Sequence, residues 1–429
     1  MRVVISLVGA FLSVILISCG KSDTATVNTP FGTTGYVLTD FNSGNESRVK
    51  SIAVAADGKI LAVGWTSGSN NTTDIALARY NTDGSLDSTF GTGGKVTTDF
   101  LNKNDFGLTV AAHPDGSIFV GGQQNDVDAI LVKHKSDGTL DTSFGTAGRI
   151  TVTSGYPGRG AIQANGKILF GGGGSSSFYL RRYSSDGMLD TSFGVSGVVT
   201  AAIPSDDGST TATIYPIQIQ SDGKLLILAN YVSSNASWEG NKCLLARFSA
   251  EGVADSGFGT NGLSSSFWCS GIESFSVMSN QNALIGGATV GSVSPLTYKF
   301  ILAKYSSVPA LDTSFGANGN GYVSDAVGTS DGGQAVTIQS DDKILIAGET
   351  TTNSHRTVRI SRYNNNGQLD SSFGTAGHVN INVGSNNHSV GSIVVQSDGK
   401  ILVGGSYSPS GSSDFLLIRL KADGSLDTP

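Results

Sequence analysis

Of the nine Phe-Gly pairs in this chain, seven recur at similar spacing, at Phe31, Phe90, Phe144, Phe193, Phe258, Phe315 and Phe373, and successive copies of these are 59, 54, 49, 65, 57 and 58 residues apart. Five of the seven close a longer phrase, Leu-Asp-(Ser/Thr)-(Ser/Thr)-Phe-Gly, as at Leu86 to Gly91, Leu140 to Gly145 and Leu369 to Gly374. A chain written this way is an array of one module. Each period holds short β-type runs separated by Gly-rich turns and no stretch of helical periodicity, which points to the blades of a β-propeller.

Unit one shows the order of elements. Ser51 to Ala55 reads as a strand, Asp57-Gly58 as a hairpin turn of type I′, Lys59 to Gly64 as a second strand, Asp74 to Tyr80 as a third and Gly94 to Phe100 as a fourth. Equivalent turns stand at Asp115-Gly116, Asn165-Gly166, Asp222-Gly223 and Asp398-Gly399, whereas Asn280-Gln281-Asn282 and Asp341-Asp342 predict looser turns or another type. Second strands such as Ile60-Leu61-Ala62-Val63 are apolar at consecutive positions, as required when both faces of a blade are covered by neighbours. Small residues at their ends, Gly64, Gly121-Gly122, Gly171-Gly172 and Gly404-Gly405, are expected to let adjacent blades approach.

The repeated phrase is cut by the chain ends. Residues 29–32, Thr-Pro-Phe-Gly, carry its second half and residues 426–429, Leu-Asp-Thr-Pro, its first. Strands one to three of the last blade would come from Ser392 to Leu420, and the fourth from Gly35 to Phe41 at the other end of the chain. The expected fold is therefore all-β, a seven-bladed β-propeller of four-stranded antiparallel blades, closed by the N-terminal strand completing the last blade. Such closure leaves no sheet edge open. An open array, or two smaller packed sheets, is the alternative.

The phrase Asp-Gly-Ser-Leu-Asp-Ser-Thr-Phe-Gly-Thr-Gly-Gly at Asp83 to Gly94, with Asp-Gly-Lys-Ile-Leu at Asp57 to Leu61, resembles the bacterial delta-60 repeat family, and the resemblance spans Pro30 to Pro429. It implies a propeller-like surface or secreted protein. It brings no catalytic residue with it.

Residues 1–18 read as a lipoprotein signal peptide. Arg2 is a minimal basic start, Val3 to Ile17 is apolar, and Leu16-Ile17-Ser18-Cys19 resembles the sequence at which cleavage exposes a cysteine for lipidation. Residues 19–30 would then be a lipidated tether and 31–429 the propeller. Gly20 in place of Asp resembles an outer-membrane destination. The expected setting is the cell envelope, with the membrane as a partner through the anchor. Cys243 and Cys269 fall where antiparallel third and fourth strands of unit four, the latter at Leu263 to Phe267, would bring them together. They are read as a disulfide, with two buried thiols as the alternative.

Net charge is −7 and only 14% of residues are charged, so the clustered cations that nucleic acid demands are missing and no nucleic-acid partner is expected. Asn81-x-Asp83-Gly84-x-x-Asp87 mimics part of a calcium loop, but the position of the first ligand holds Arg79, and its counterparts are Lys133, Arg182, Arg247, Lys304, Arg362 and Arg419. The Asp residues are instead expected to cap turns and to form exposed pairs with those cations. No metal or other cofactor is expected. The five histidines show no metal-ligand spacing, and neither a phosphate loop nor a nucleophile elbow is present.

Turns one-to-two and three-to-four share one face, which the motif keeps fixed. The opposite face carries connections of unequal length and composition: Asn42 to Lys50, Ser67 to Thr73, Ser205 to Thr211, Val232 to Asn241, Thr350 to Arg356 and Val383 to His388. Candidate binding residues there are Trp65, Asn70, Trp238 and His355. The reading is a non-enzymatic surface module recognising protein or glycan through these loops; the alternative is a hydrolase or lyase with its site at the propeller axis.

Overall fold

The computed structural model describes residues 30–41, 46–68, 72–125, 127–153, 157–203, 211–232, 241–268, 272–293, 296–317, 319–325, 331–352, 355–384, 387–409 and 412–429. They form seven antiparallel sheets around one axis. Blade one is built from Ser47–Val54, Ile60–Ser67, Thr73–Tyr80 and Lys95–Thr98, hydrogen-bonded in that order. Blades two to seven repeat it from Asp105, Arg159, Thr211, Ile272, Asp331 and Asn387 onward.

The last blade is completed from the other end of the chain. Tyr36–Thr39 pairs with Asp414–Leu420, with Val37 opposite Leu417. The Phe31 N–H donates to the Asp427 carbonyl and the Arg419 N–H to the Gly35 carbonyl, each at 2.9 Å. On the opposite face Ser413 Oγ accepts the Ser47 N–H at 3.0 Å. The described core divides into seven apolar clusters, each spanning two neighbouring blades, and one of them joins Phe31, Val49 and Ile60 to Leu402 and Leu417 across the closing seam. All seven motif phenylalanines are buried.

The Asp-Gly turns are not of type I′. Ala55 accepts the Gly58 N–H at 2.9 Å and donates its own N–H to Lys59 at 2.8 Å, while φ is positive at Gly58 (81°) and not at Asp57. This is the three-residue loop, a type I turn followed by a left-handed residue. Asp57 serves through its side chain, whose Oδ1 accepts the Lys59 N–H at 3.1 Å. Nor are the two variant hairpins looser. Gln281 (φ 69°) and Asp342 (φ 60°) take the glycine position with the same backbone bonds.

The first strand of five blades carries one extra residue at a common register: Lys50, Leu108, Glu273, Gln334 and Gly391. The bulge explains the glycine opposite it. A Cβ on Gly64 would lie 1.7 Å from the Arg48 carbonyl oxygen, so Gly64 makes room for its own blade's bulged strand rather than for a neighbouring blade, as do Gly122 and Gly405. Gly404 behaves as expected, approaching Ile52 and Val49 of the next blade. In blade four the first strand is broken into Thr211–Ile214 and Gln218–Ile219, with Pro216 between, and its fourth strand is Phe267–Trp268; Leu263 makes isolated bridges to Ala246 and Thr260.

Candidate functional site: two faces and a channel

On the fixed-turn face one construction recurs in every blade. The cation eight residues before the motif Asp pairs with it: Arg79–Asp87 at 2.8 Å, Lys133–Asp141 at 3.1 Å, Arg182–Asp190 at 2.7 Å, and likewise through to Arg419–Asp427 at 2.7 Å. The same cation lies over the motif phenylalanine, with Arg79 at 4.4 Å from the Phe90 centroid and Arg419 at 4.7 Å from Phe31. It then donates to a carbonyl in the next blade's turn: Lys133 to Ser185, Arg182 to Ala250, Arg247 to Ser307, Lys304 to Asn365, and Arg419 across the seam to Thr82.

These pairs are not the exposed ones that spacing suggested, since Asp427 and the Arg419 side chain are 1% and 3% exposed. Buried and multiply hydrogen-bonded, they lock turn to turn around the ring. Lys167 and Ser192 donate to Asp190 and, with Arg182, hold its carboxyl well below the ordinary carboxylate range; Asp370 is lowered similarly, its Lys343, Ser372 and Arg362 contacts outweighing burial. Among the described residues no group of three or more His, Cys, Asp or Glu could hold a metal.

The variable face differs. Trp65, at the end of its strand, stands edge-on to Phe106 of blade two with centroids 6.0 Å apart, and the Arg48 guanidinium lies 5.6 Å from the Trp65 ring. Residues 99–104, which lead into Phe106, carry Leu101 and Asn102 with φ of 68° and 53°. Leu101 is 71% exposed. A solvated leucine in the left-handed region is a strained arrangement that its surroundings must hold in place. Asn104 Oδ1 holds the Thr73 N–H at 3.1 Å, tying this loop to blade one. Beneath it Asp105 is wholly buried, accepting from Phe100 N–H at 2.7 Å and Gln124 Nε2 at 2.8 Å, and burial pushes its carboxyl up to about 6.

Of the residues singled out by sequence, Trp65 lies in this cluster. His355 is exposed at the second hairpin of blade six, with blade seven intervening, so the two do not form one site. Asn70, Trp238, Cys19 and Cys269 lie outside the described residues, as do residues 1–29 with the expected signal peptide and nearly all of the tether. Cys243 is buried and disulfide-bonded. Arg48, Leu101 and Phe106 were missed because their grouping crosses a blade seam. The Asp-Phe step at the start of a first strand was the available clue.

The first strands of all seven blades line a central cavity of about 480 Å³. Among its described lining residues there is no carboxylate or histidine.

Five stretches match the family described as a domain of unknown function (DUF5122) beta-propeller: residues 55–90, 113–144, 163–193, 339–373 and 396–428. The chain is a β-propeller repeat protein. Each match runs from the first hairpin through the third strand to the motif turn, in blades one, two, three, six and seven. No curated protein matches the chain. Among solved structures it is similar to Drosophila Semaphorin 2a (8% identity, TM-score 0.50, 92% of this chain and 76% of that one). It is also similar to Sqt1 from Chaetomium thermophilum (12%, 0.48, 91% and 98%) and to Trypanosoma rangeli sialidase in complex with the inhibitor DANA (9%, 0.43, 91% and 60%). At such identities the likeness is one of fold alone.

Proposed function

We propose that the protein is a non-enzymatic, envelope-anchored binding module that recognises a protein or glycan through its variable face, at the seam of blades one and two. The observation that carries this reading is Leu101, exposed in a left-handed conformation on the loop leading into the Trp65–Phe106 pair. An exposed aliphatic group beside a half-buried aromatic pair on a rigid scaffold is the usual anchor of a recognition surface.

Chain direction supports the same side. Phe31 docks among the fixed turns, so the segment preceding it joins the propeller on that face. A tether from a lipidated Cys19 to Pro30 would reach roughly 40 Å when extended. With the fixed turns toward an outer-membrane surface, the variable loops face outward. The axial hydrolase or lyase reading finds no acid, base or nucleophile set among the described lining residues.

The test is a glycan and envelope-protein binding screen of residues 30–429 beside a Trp65→Ala, Leu101→Asn variant. Binding that falls at least tenfold in the variant supports the reading. Equal binding by both proteins overturns it.

A further inference from the structure

We infer that the fixed-turn face rests on a lipid bilayer through an apolar arc of blades three to five, an inference that depends on the envelope-anchored reading above. Of the eleven large apolar side chains exposed among the described residues, seven belong to these three blades; the other four, Leu38, Leu101, Val127 and Leu369, are spread singly over the rest of the ring. Met188, Val195, Val253 and Val308 stand on the turns and are 64–81% exposed, with Leu189 and Leu311 beside them.

The repeat shows that these residues are departures from the module. The turn position of Met188 and Val253 is held by Ser85, Thr139, Gln368 and Ser425 in blades one, two, six and seven. Where Val195 stands, two residues past the motif Phe, blades one, two, four, six and seven carry Thr, and Val308 takes the place of Asp83, Asp137 and Asp423. The three turns adjoin: the Gly194 N–H donates to the Glu251 carbonyl at 2.9 Å, and Arg247 to the Ser307 carbonyl at 2.8 Å. The acids among them are engaged, Glu251 with Arg182 at 2.5 Å and Asp186 with Ser184 and the Met188 N–H. A concentrated apolar patch of this kind marks an interaction surface.

The entry of the chain decides the occupant. Gly32, next to the docked Phe31, donates its N–H to the Asp83 carbonyl at 2.8 Å, so the preceding segment joins the ring on this same face, at the seam of blades seven and one and across the ring from blade four. A tether from a lipidated Cys19, reaching roughly 40 Å, makes a weak second contact with the bilayer intramolecular. Held at one rim alone, the ring is free to swing; contact through the arc at the opposite rim lays it flat and turns the variable loops outward. Single aliphatic side chains on rigid turns suit a soft interface, entering below the headgroups without a complementary pocket.

The test holds residues 19–429, with Cys19→Ser and an N-terminal histidine tag, on protein-free vesicles of phosphatidylethanolamine and phosphatidylglycerol with nickel-chelating lipid. A polarity-sensitive dye is placed at Met188→Cys in the arc or at His355→Cys on the variable face, and acyl-chain nitroxide lipids serve as quencher. Quenching is expected at 188 and not at 355, and Val195→Asn with Val253→Asn and Val308→Asn should reduce it several-fold while circular dichroism stays unchanged. No quenching at 188, equal quenching on both faces, or quenching indifferent to the triple substitution would each overturn the inference. A blue shift without quenching that grows with protein density would assign the arc to a second copy and overturn it too. The anchor is tested separately by acyl incorporation into the full chain, expected to vanish in Cys19→Ser. Absence of incorporation would overturn both the anchor and this inference, whereas loss of quenching alone overturns only the inference; the loop screen, run without vesicles, is independent of both.

Discussion

The two faces of the ring are made of the same strands but solve different problems. On the fixed-turn face every motif Asp has a cation within 3.3 Å, every such cation covers a phenylalanine, and the cation's donors reach the next blade. On the variable face, a carboxyl is buried against neutral partners, as with Asp105 and Gln124, and apolar groups are left outside, as with Leu101. One face spends its side chains on holding the ring closed. The other keeps strain and exposure that holding alone does not require, which is where recognition is to be sought.

The largest expected effect strikes the fixed face at the seam. Phe31→Ala removes a fully buried ring from the cluster joining the last blade to the first and should cost about 3–5 kcal/mol in urea unfolding. A loss under 1 kcal/mol would show that the N-terminal strand is dispensable.

Next come two titrations of opposite sign. Asp105 has its carboxyl raised by burial to about 6, so the folded state prefers it protonated and stability is lost as pH rises from about 4 through 6. By 1.36 kcal/mol per unit this amounts to roughly 3 kcal/mol at most. Asp105→Asn should abolish that slope, read as the melting temperature at pH 4 against pH 7. Asp190 is lowered by its Lys167, Ser192 and Arg182 contacts, so its contribution is full above the unfolded value near 4 and disappears only as pH falls below it. Asp190→Asn should therefore destabilise the protein at pH 7 and leave it less sensitive to acid between pH 4 and pH 2. If both residues titrated in the same direction, the contrast between the faces would be lost.

The smallest effect concerns the variant hairpin of blade five. Gln281→Gly relieves a non-glycine residue at φ 69° but gives up the bond from its Nε2 to Ser221, so a net gain of about 0.5 kcal/mol is expected in thermal melts.

Much of the ring was legible in the sequence because its determinants repeat. The blade count follows the seven regularly spaced Phe-Gly pairs, and the broken phrase at the two ends foretold the pairing of Val37 with Leu417. Arg79 and its counterparts were recognised as partners of the motif Asp, but their burial was not, because that comes from the neighbouring blade's turn, as with Ser136 beside Arg79. Asp-Gly fits two turn types, and only the positive φ of Gly58 without that of Asp57 separates them. The Trp65–Phe106–Arg48 grouping is a single event rather than a repeat, so periodicity has nothing to say about it.

The direct test of the division between the faces is one binding comparison between two doubly substituted proteins. Trp65→Ala with Leu101→Asn alters the variable face, and Val195→Asn with Val253→Asn alters residues 81% and 64% exposed on the fixed-turn face. Measured against whichever glycan or envelope protein the unaltered chain retains, the first is predicted to lose at least tenfold in affinity and the second to bind as before. Loss confined to the second would place recognition on the wrong face and contradict the account.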